Sequence, residues 1–109
     1  MLTRHISPEI DARLSEIGIF QEVSRSDQVA LEGRCDQLVF LAEGSTKLVS
    51  NDFDGAEQVL AFHFPGDMIY VPRRKRGDFN LFALVDCRVI SFSANEFLDV
   101  VAGPARVPV

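Results

Sequence analysis

The stretch that decides the fold covers residues 58–67 and reads Q-V-L-A-F-H-F-P-G-D. Up to the proline, Val59, Ala61 and His63 alternate with apolar neighbours, so both faces of the segment are largely apolar, as in a buried β-strand. Proline cannot donate a hydrogen bond to a sheet, and the Pro-Gly pair is a strong turn signal. The sequence therefore predicts a strand that leads directly into a tight corner.

The surrounding sequence is also rich in short strands. An Asp54-Gly55 pair before the strand predicts a hairpin turn. Short apolar runs bounded by turn residues predict further strands at 38–41, 46–50, 68–71, 79–85 and 87–92.

Helices are expected at both ends of the chain. Ser7 and Pro8 begin the first helix, which Gly18 ends. Residues 19–23 then form a short apolar link, and a second helix starts at Ser24 and ends near Gly33. A final helix starts at residues 93–96. The predicted fold is mainly β, a double-stranded β-helix (jelly roll) flanked by short N-terminal helices and a short C-terminal helix.

Composition limits the class of protein. The 109 residues are 47% hydrophobic and 25% charged, which suits one globular domain spanning 1–109. The net charge of −5 argues against binding duplex DNA unaided, because phosphate contacts supply most of that attraction. No apolar run approaches the roughly 20 residues that cross a bilayer, and the start resembles no secretion signal, so a cytoplasmic protein is expected.

The possible catalytic or metal-binding residues are few. Cys35 and Cys87 belong to no C-x-x-C pair, so two separate reduced thiols are expected, with a redox pair as the alternative. His63 stands in an apolar strand, where a packed side chain is expected; an axial haem ligand is the alternative. Jelly-roll metal enzymes need two or three histidines with a carboxylate, so we expect no metal, no cofactor and no enzyme.

Five segments carry a resemblance when they are taken in order. They are the opening at 19–24, the E-G-S-T-K-L hairpin at 43–48, the D-G-A-E-Q-V-L turn and strand at 54–60, the F-H-F-P-G-D segment at 62–67, and the closing strands at 83–90 with Phe97 after them. Together they resemble the sensor domain of Crp/Fnr transcription regulators, which has the cyclic-nucleotide-binding-domain fold. The resemblance covers residues 19–101 and implies a non-catalytic switch module.

The resemblance also suggests where a ligand would bind. Cyclic AMP binders of this family carry a Gly-Glu and an Arg-Ser/Thr-Ala element that residues 68–80 lack, so cyclic AMP is not the expected effector. Relatives hold a ligand phosphate near the basic loop at residues 73–76, and guanidinium groups suit phosphate or carboxylate. A small anionic effector is therefore expected, although a merely solvated loop is the alternative. The candidate ligand-binding residues are Gly66, Asp67, Tyr70, Arg73, Arg74 and Arg76.

The same resemblance implies partners. Crp/Fnr regulators continue into a dimerisation helix and a helix-turn-helix domain, so a homodimer is expected. DNA would be bound only through a C-terminal domain that this sequence does not contain. Two alternatives remain open: a cupin-like metal-binding small enzyme, and a ligand-free module that dimerises through a Phe-rich outer face and the helix at Val100 and Val101.

Overall fold

The structure is a computed structural model that describes residues 8–31, 35–51, 55–73 and 79–102. Within these ranges seven strands lie between two helices, which confirms the predicted class of a mainly β jelly roll flanked by N- and C-terminal helices. In chain order the elements are α1 (Pro8–Ile17), β1 (Ile19–Val23), β2 (Gln37–Glu43), β3 (Thr46–Asn51), β4 (Glu57–His63), β5 (Met68–Val71), β6 (Phe79–Ala83), β7 (Cys87–Ser93) and α2 (Ala94–Ala102).

The strands form two antiparallel sheets that pack face to face. The four-stranded sheet has the order β1-β7-β2-β5, and the three-stranded sheet has the order β4-β3-β6. Their facing sides share one apolar cluster, in which Val39, Leu41 and Val89 of the first sheet meet Leu48 and Leu81 of the second. This alternation of buried and outward residues is what a sandwich of two sheets requires.

Both helices lie against the outer face of the four-stranded sheet. Leu14 of α1 and Val100 of α2 form a second apolar cluster with Ile90 and Phe92 of β7. The ring of Phe92 meets the ring of Phe97 edge-on, with centroids 5.3 Å apart, a favoured aromatic arrangement. The start of the C-terminal helix is thus packed on the strand that precedes it.

The predicted second helix is wrong for the part of it that the structure describes. Residues 24–31 form a turn followed by an extended segment that runs along β6. The amides of Ser26 and Val29 donate to the carbonyls of Ala83 and Leu81, each across 2.8 Å. Val29 enters the core with 1% of its surface exposed. Because these backbone groups are satisfied by β6, the segment has no need of helical hydrogen bonds. Its expected end, Gly33, lies outside the described residues.

Two other expectations about this part of the chain have different outcomes. Residues 19–23, expected as a link, form β1. The expected helix stop is confirmed, since α1 ends at Ile17 and the Gly18 amide donates to the Leu14 carbonyl across 2.9 Å.

The strand at 57–63 is less buried than its sequence predicts. Phe62 and Phe64 are 58% and 61% exposed, whereas Phe92 is 1% exposed. Phe62 is paired with Lys47 of β3 on the outer face of the three-stranded sheet, in its edge strand β4. Phe64 lies just beyond the end of β4. The hairpin that joins β3 to β4 is confirmed by their antiparallel pairing, while Asp54 of its expected turn lies outside the described residues.

The two cysteines are separate free thiols, and the alternative of a redox pair is wrong. Cys87 begins β7, whereas Cys35 lies just before β2, whose first residue Gln37 pairs with Ser93 at the far end of β7. The thiols therefore lie at opposite ends of this strand pair, roughly 20 Å apart.

Within the described ranges, no helix combines the length and the apolar character needed to cross a membrane.

Candidate functional site

The Pro-Gly corner is a tight turn held from both sides. The Asp67 amide donates to the Phe64 carbonyl across 3.0 Å, and the Asp67 carboxylate accepts from the Phe64 amide across 2.8 Å. Gly66 has a φ of +97°, which suits the third position of a type II turn. The Gly66 amide also donates to the Leu41 carbonyl, and the Leu41 amide donates to the Asp67 carbonyl. Asp67 thus fixes the corner against the end of β2.

The opposite end of β5 carries a polar cluster around Asp36. The Tyr70 hydroxyl donates to Asp36 Oδ2 across 2.5 Å, and the Arg73 amide donates to Asp36 Oδ1 across 2.6 Å. The hydrogen bond from Tyr70, followed by the one from the Arg73 amide, lowers the pKa of Asp36. The same bond to Asp36 raises the pKa of Tyr70. The carboxylate is therefore ionised, and the phenol neutral, at physiological pH.

Asp36 also contacts the start of the C-terminal helix. The Ala94 amide, at the first residue of α2, donates to the backbone carbonyl of Asp36 across 2.9 Å. We call Asp36, Tyr70, Arg73 and Ala94 the Asp36 cluster. Through it, one residue is bonded to the end of β5, to the segment that follows β5 and to α2.

The structure brings together two of the residues that the sequence indicates as ligand-binding. Tyr70 and Arg73 meet at Asp36, whereas Gly66 and Asp67 lie at the other end of β5, about 10 Å or more from Tyr70 along the strand. Arg74 and Arg76 lie outside the described residues.

Tyr70 is on the outer side of its sheet. Ile69 and Val71, its neighbours in β5, belong to the core between the sheets. Side chains alternate along a strand, so Tyr70 faces away from that core and is 52% exposed. The cluster is consequently open to a ligand arriving from solvent.

Asp36 was not among the predicted site residues. It precedes β2 by one position, and its partners are 34 and 37 residues further along the chain. No local motif marks it, since only the pairing of β2 with β5 brings these groups together.

His63 lies at the end of β4 and is engaged with its neighbour strand. Its Nδ1 is 3.2 Å from the hydroxyl of Thr46, which is fully buried. Burial lowers the pKa of His63, and the nearby Asp67 carboxylate acts in the opposite direction with a smaller effect. Among the described residues, no three His, Cys, Asp or Glu side chains gather in a way that could hold a metal ion.

Comparison with known proteins identifies the class and then the family. The class is that of antiparallel jelly rolls with a helix packed at the end of the last strand. The family model of the cyclic nucleotide-binding domain matches residues 20–103, and the chain belongs to this family. No curated protein is similar enough in sequence to count as a match.

Solved structures share the fold at low sequence identity. Oxidized CprK in complex with o-chlorophenolacetic acid is 19% identical over 91% of this chain and 41% of its own, with a TM-score of 0.69. The N-terminal domain of a transcriptional regulator from Streptomyces coelicolor A3(2) is 22% identical over 95% of this chain and 76% of its own, with a TM-score of 0.65.

A third match is the regulatory subunit of a cAMP-independent protein kinase A from Trypanosoma cruzi bound to guanosine. It is 15% identical over 91% of this chain and 36% of its own, with a TM-score of 0.64. This chain spans less than half the length of the CprK structures it matches. These matches confirm the expected resemblance to Crp/Fnr sensor domains at the level of the fold.

Proposed function

We propose that this chain is the non-catalytic, effector-binding domain of a Crp/Fnr-like transcription regulator, acting in the cytoplasm. Membership of the cyclic nucleotide-binding domain family supports this proposal, as does the likeness to the N-terminal domain of a bacterial transcriptional regulator. A cupin-like metal enzyme has no comparable support from the family match.

One observation carries the proposal. Asp36 accepts hydrogen bonds from Tyr70 and Arg73 through its side chain, and from Ala94 of α2 through its backbone carbonyl. A ligand that displaces Arg73 or Tyr70 from Asp36 therefore acts on a residue bonded directly to the start of the C-terminal helix. This is the kind of contact that converts binding into a shift between two positions of a helix.

The effector that suits this place is a small anion. Arg73 supplies a guanidinium group beside the cluster, and the sequence adds three more basic residues directly after it. The Asp36 carboxylate accepts from the Tyr70 hydroxyl and the Arg73 amide, and an incoming carboxylate or phosphate competes with it for these two donors. The CprK complex contains o-chlorophenolacetic acid, an aryl acid, which makes this compound a suitable first probe.

Cyclic AMP is not the proposed effector. The segment after β5 has Pro72 and Arg73 in the region where cyclic AMP binders carry their Gly-Glu element, and residues 68–80 hold no Arg-Ser/Thr-Ala run. A proline has no backbone N–H to donate to a ligand.

Thermal-shift measurements on the full chain test the proposal. We expect o-chlorophenolacetic acid or another anionic metabolite to raise the Tm, and cyclic AMP to leave it unchanged. A variant with Arg73, Arg74 and Arg76 all changed to Ala should show a smaller shift than the wild type, whereas Arg13→Ala, an exposed arginine of α1, should keep the full shift. An equal shift in the triple variant would remove the basic segment from the site.

A second measurement distinguishes a sensor, in which anion binding changes α2, from a domain that only binds the anion. Hydrogen exchange at the amides of the first turn of α2 should change when the anion binds, because the Ala94 amide is bonded to Asp36. Anion binding without any change in these amides would contradict the relay and leave only a binding module.

The exposed face of α2 supports the proposal of a homodimer. Leu98 and Val101 are 50% and 41% exposed and are three positions apart, so they form one apolar stripe, while Val100 packs inward. Light scattering after size exclusion should show a dimer that Leu98→Ser weakens. Monomeric wild type would contradict this part of the proposal.

A further inference from the structure

We propose a second ligand site, for a small aromatic carboxylate, on the outer face of the three-stranded sheet. The site is a groove of about 380 Å³ between the turn at residues 25–26 and strands β3 and β6. Its lining consists of Arg25, Ser26, Lys47, Glu57, Phe82, Ala83 and Leu84. Lys47 and Phe82 are paired across β3 and β6 and alternate with the buried Leu48 and Leu81, so they face away from the core.

The charge in this groove is opposite to that of the molecule. Two basic side chains, Arg25 and Lys47, line it together with one acidic side chain, Glu57, although the chain carries a net charge of −5. Two other grooves of the described surface have the reverse balance: one has three carboxylates and one arginine in its lining, and the other has two carboxylates and one arginine. A local positive site on an acidic protein selects anions.

The groove also offers an aromatic ring next to the cations. The Lys47 ammonium lies 5.9 Å from the centre of the Phe82 ring, within the range of a cation–π contact. A planar apolar ligand can stack on this ring while its carboxylate reaches Lys47 and Arg25. Ligand grooves of this size combine such an apolar surface with a few polar groups that fix orientation.

Neither cation is tightly held by the protein. Lys47 is 3.7 Å from Glu57, and 31% of the lysine side chain and 48% of the glutamate side chain are exposed. Exposed ion pairs of this kind contribute little, so a ligand carboxylate can replace Glu57. Within the described ranges, no hydrogen bond or ion pair involves the guanidinium group of Arg25.

The turn that carries Arg25 is rigid. The Arg25 amide donates to the Asp86 carboxylate across 2.9 Å, and the Ser26 amide donates to the Ala83 carbonyl across 2.8 Å. Ser26 has a φ of +72°, the one positive value among the described non-glycine residues. Strained residues held by surrounding bonds are frequent at binding sites. A fixed turn also lowers the ordering cost of binding.

Titration of the isotope-labelled full chain with benzoate tests this site. We expect saturable changes in the amide signals of residues 25, 26, 47 and 84 at millimolar concentrations. Lys47→Gln and Arg25→Gln should each weaken binding by about fivefold. Glu57→Gln should tighten it by about threefold, because the competing carboxylate is removed. Arg13→Gln, a matched loss of one exposed positive charge on α1, should change nothing.

Two further ligands test separately whether the ring and the charge of benzoate contribute to binding. Benzyl alcohol has the ring without the charge and should bind far more weakly than benzoate. Inorganic phosphate has the charge without the ring, and affinity equal to that of benzoate would overturn the aromatic assignment. Absence of a saturable change at these amides, or unchanged binding by Lys47→Gln and Arg25→Gln, would overturn the site. Asp36→Asn should leave this binding unaltered, so the result is independent of the proposed function.

Discussion

Tyr70 donates its hydroxyl to the carboxylate of Asp36 across 2.5 Å and so ties the end of β5 to the residue before β2. Both residues are on the surface, yet the bond moves both pKa values in opposite directions, down for Asp36 and up for Tyr70. Asp36 holds the Arg73 amide with its other carboxylate oxygen and the Ala94 amide with its backbone carbonyl. The bond is therefore a marker for the state of the whole cluster.

The ionisation of Tyr70 can be read directly, because the chain has one tyrosine and no tryptophan. The pKa of Tyr70 is raised from its usual value, first by the hydrogen bond to Asp36 and then by burial and the charge of Asp36. Ultraviolet titration of tyrosinate should give a midpoint above that of the urea-unfolded chain. Asp36→Asn should lower this midpoint, since the charged acceptor is lost.

An anionic effector that accepts a hydrogen bond from the Tyr70 hydroxyl supplies another charged acceptor, so it should raise this midpoint again in Asp36→Asn. A wild-type midpoint equal to that of the unfolded chain would show that the bond does not form in solution. Arg13→Gln provides the control, because it changes one exposed charge on α1 and leaves the cluster intact.

Local sequence patterns predict where the strands lie better than they predict which strands pair and how buried each one is. The strand at 68–71 and the turn after residue 63 follow from composition and turn chemistry alone. The prediction of a helix at 24–31 is wrong because the hydrogen-bond partner of this segment, β6, lies more than fifty residues away. A helix start signal is local, and a distant strand edge overrides it.

Distant strand pairing also explains why the sequence does not indicate Asp36 as part of the candidate site. The sequence predicts Tyr70 and Arg73 because a basic run after a strand is visible in it. It does not indicate Asp36, whose contacts depend on β2 lying beside β5. The exposure of Phe62 is not predicted either, since it depends on which face of β4 packs on the other sheet and on the position of β4 at the edge of its own sheet.

His63 should make stability depend on pH near neutrality. Burial lowers its pKa, so the folded protein binds a proton less readily than the unfolded chain. The stability that the neutral imidazole contributes is present above the unfolded pKa and is lost as the pH falls toward the lower pKa of the folded state. Urea unfolding from pH about 8 to about 5 should therefore show a decreasing free energy.

His63→Gln should flatten this dependence, and His5→Gln, at a position outside the described residues, should not. Asp67→Asn should steepen it, because the Asp67 charge opposes the lowering of the His63 pKa. A wild-type stability independent of pH over this range would mean that His63 is solvated.

Alanine substitutions at Gly44 and Gly66 separate the cost of a left-handed backbone from the cost of a steric clash. Their φ values are +95° and +97°. A Cβ at Gly66 would meet no atom within 4 Å, whereas a Cβ at Gly44 would lie 2.6 Å from the Asp86 carbonyl oxygen and 2.6 Å from Cys87 Sγ. Gly66→Ala should cost about 1 to 2 kcal/mol of unfolding free energy, from the left-handed backbone alone.

Gly44→Ala should cost about 3 kcal/mol or more, because overpacking against fixed backbone adds to the same strain. Urea unfolding of both variants measures the difference. Equal costs would show that the turn at Gly44 is farther from β7 than the structure places it.

Alanine substitutions at Phe62 and Phe92 test whether β4 is exposed while β7 is buried against the helices. Both are strand phenylalanines, but Phe92 is 1% exposed and Phe62 is 58% exposed. Phe92→Ala should cost about 3 to 5 kcal/mol, since it leaves a cavity between β7 and the two helices. Phe62→Ala should cost less than about 1 kcal/mol in the monomer, because a side chain already largely in water loses little by truncation. If Phe62→Ala instead destabilises the protein as much as Phe92→Ala, and the loss grows with protein concentration, then β4 is covered by a second copy of the chain.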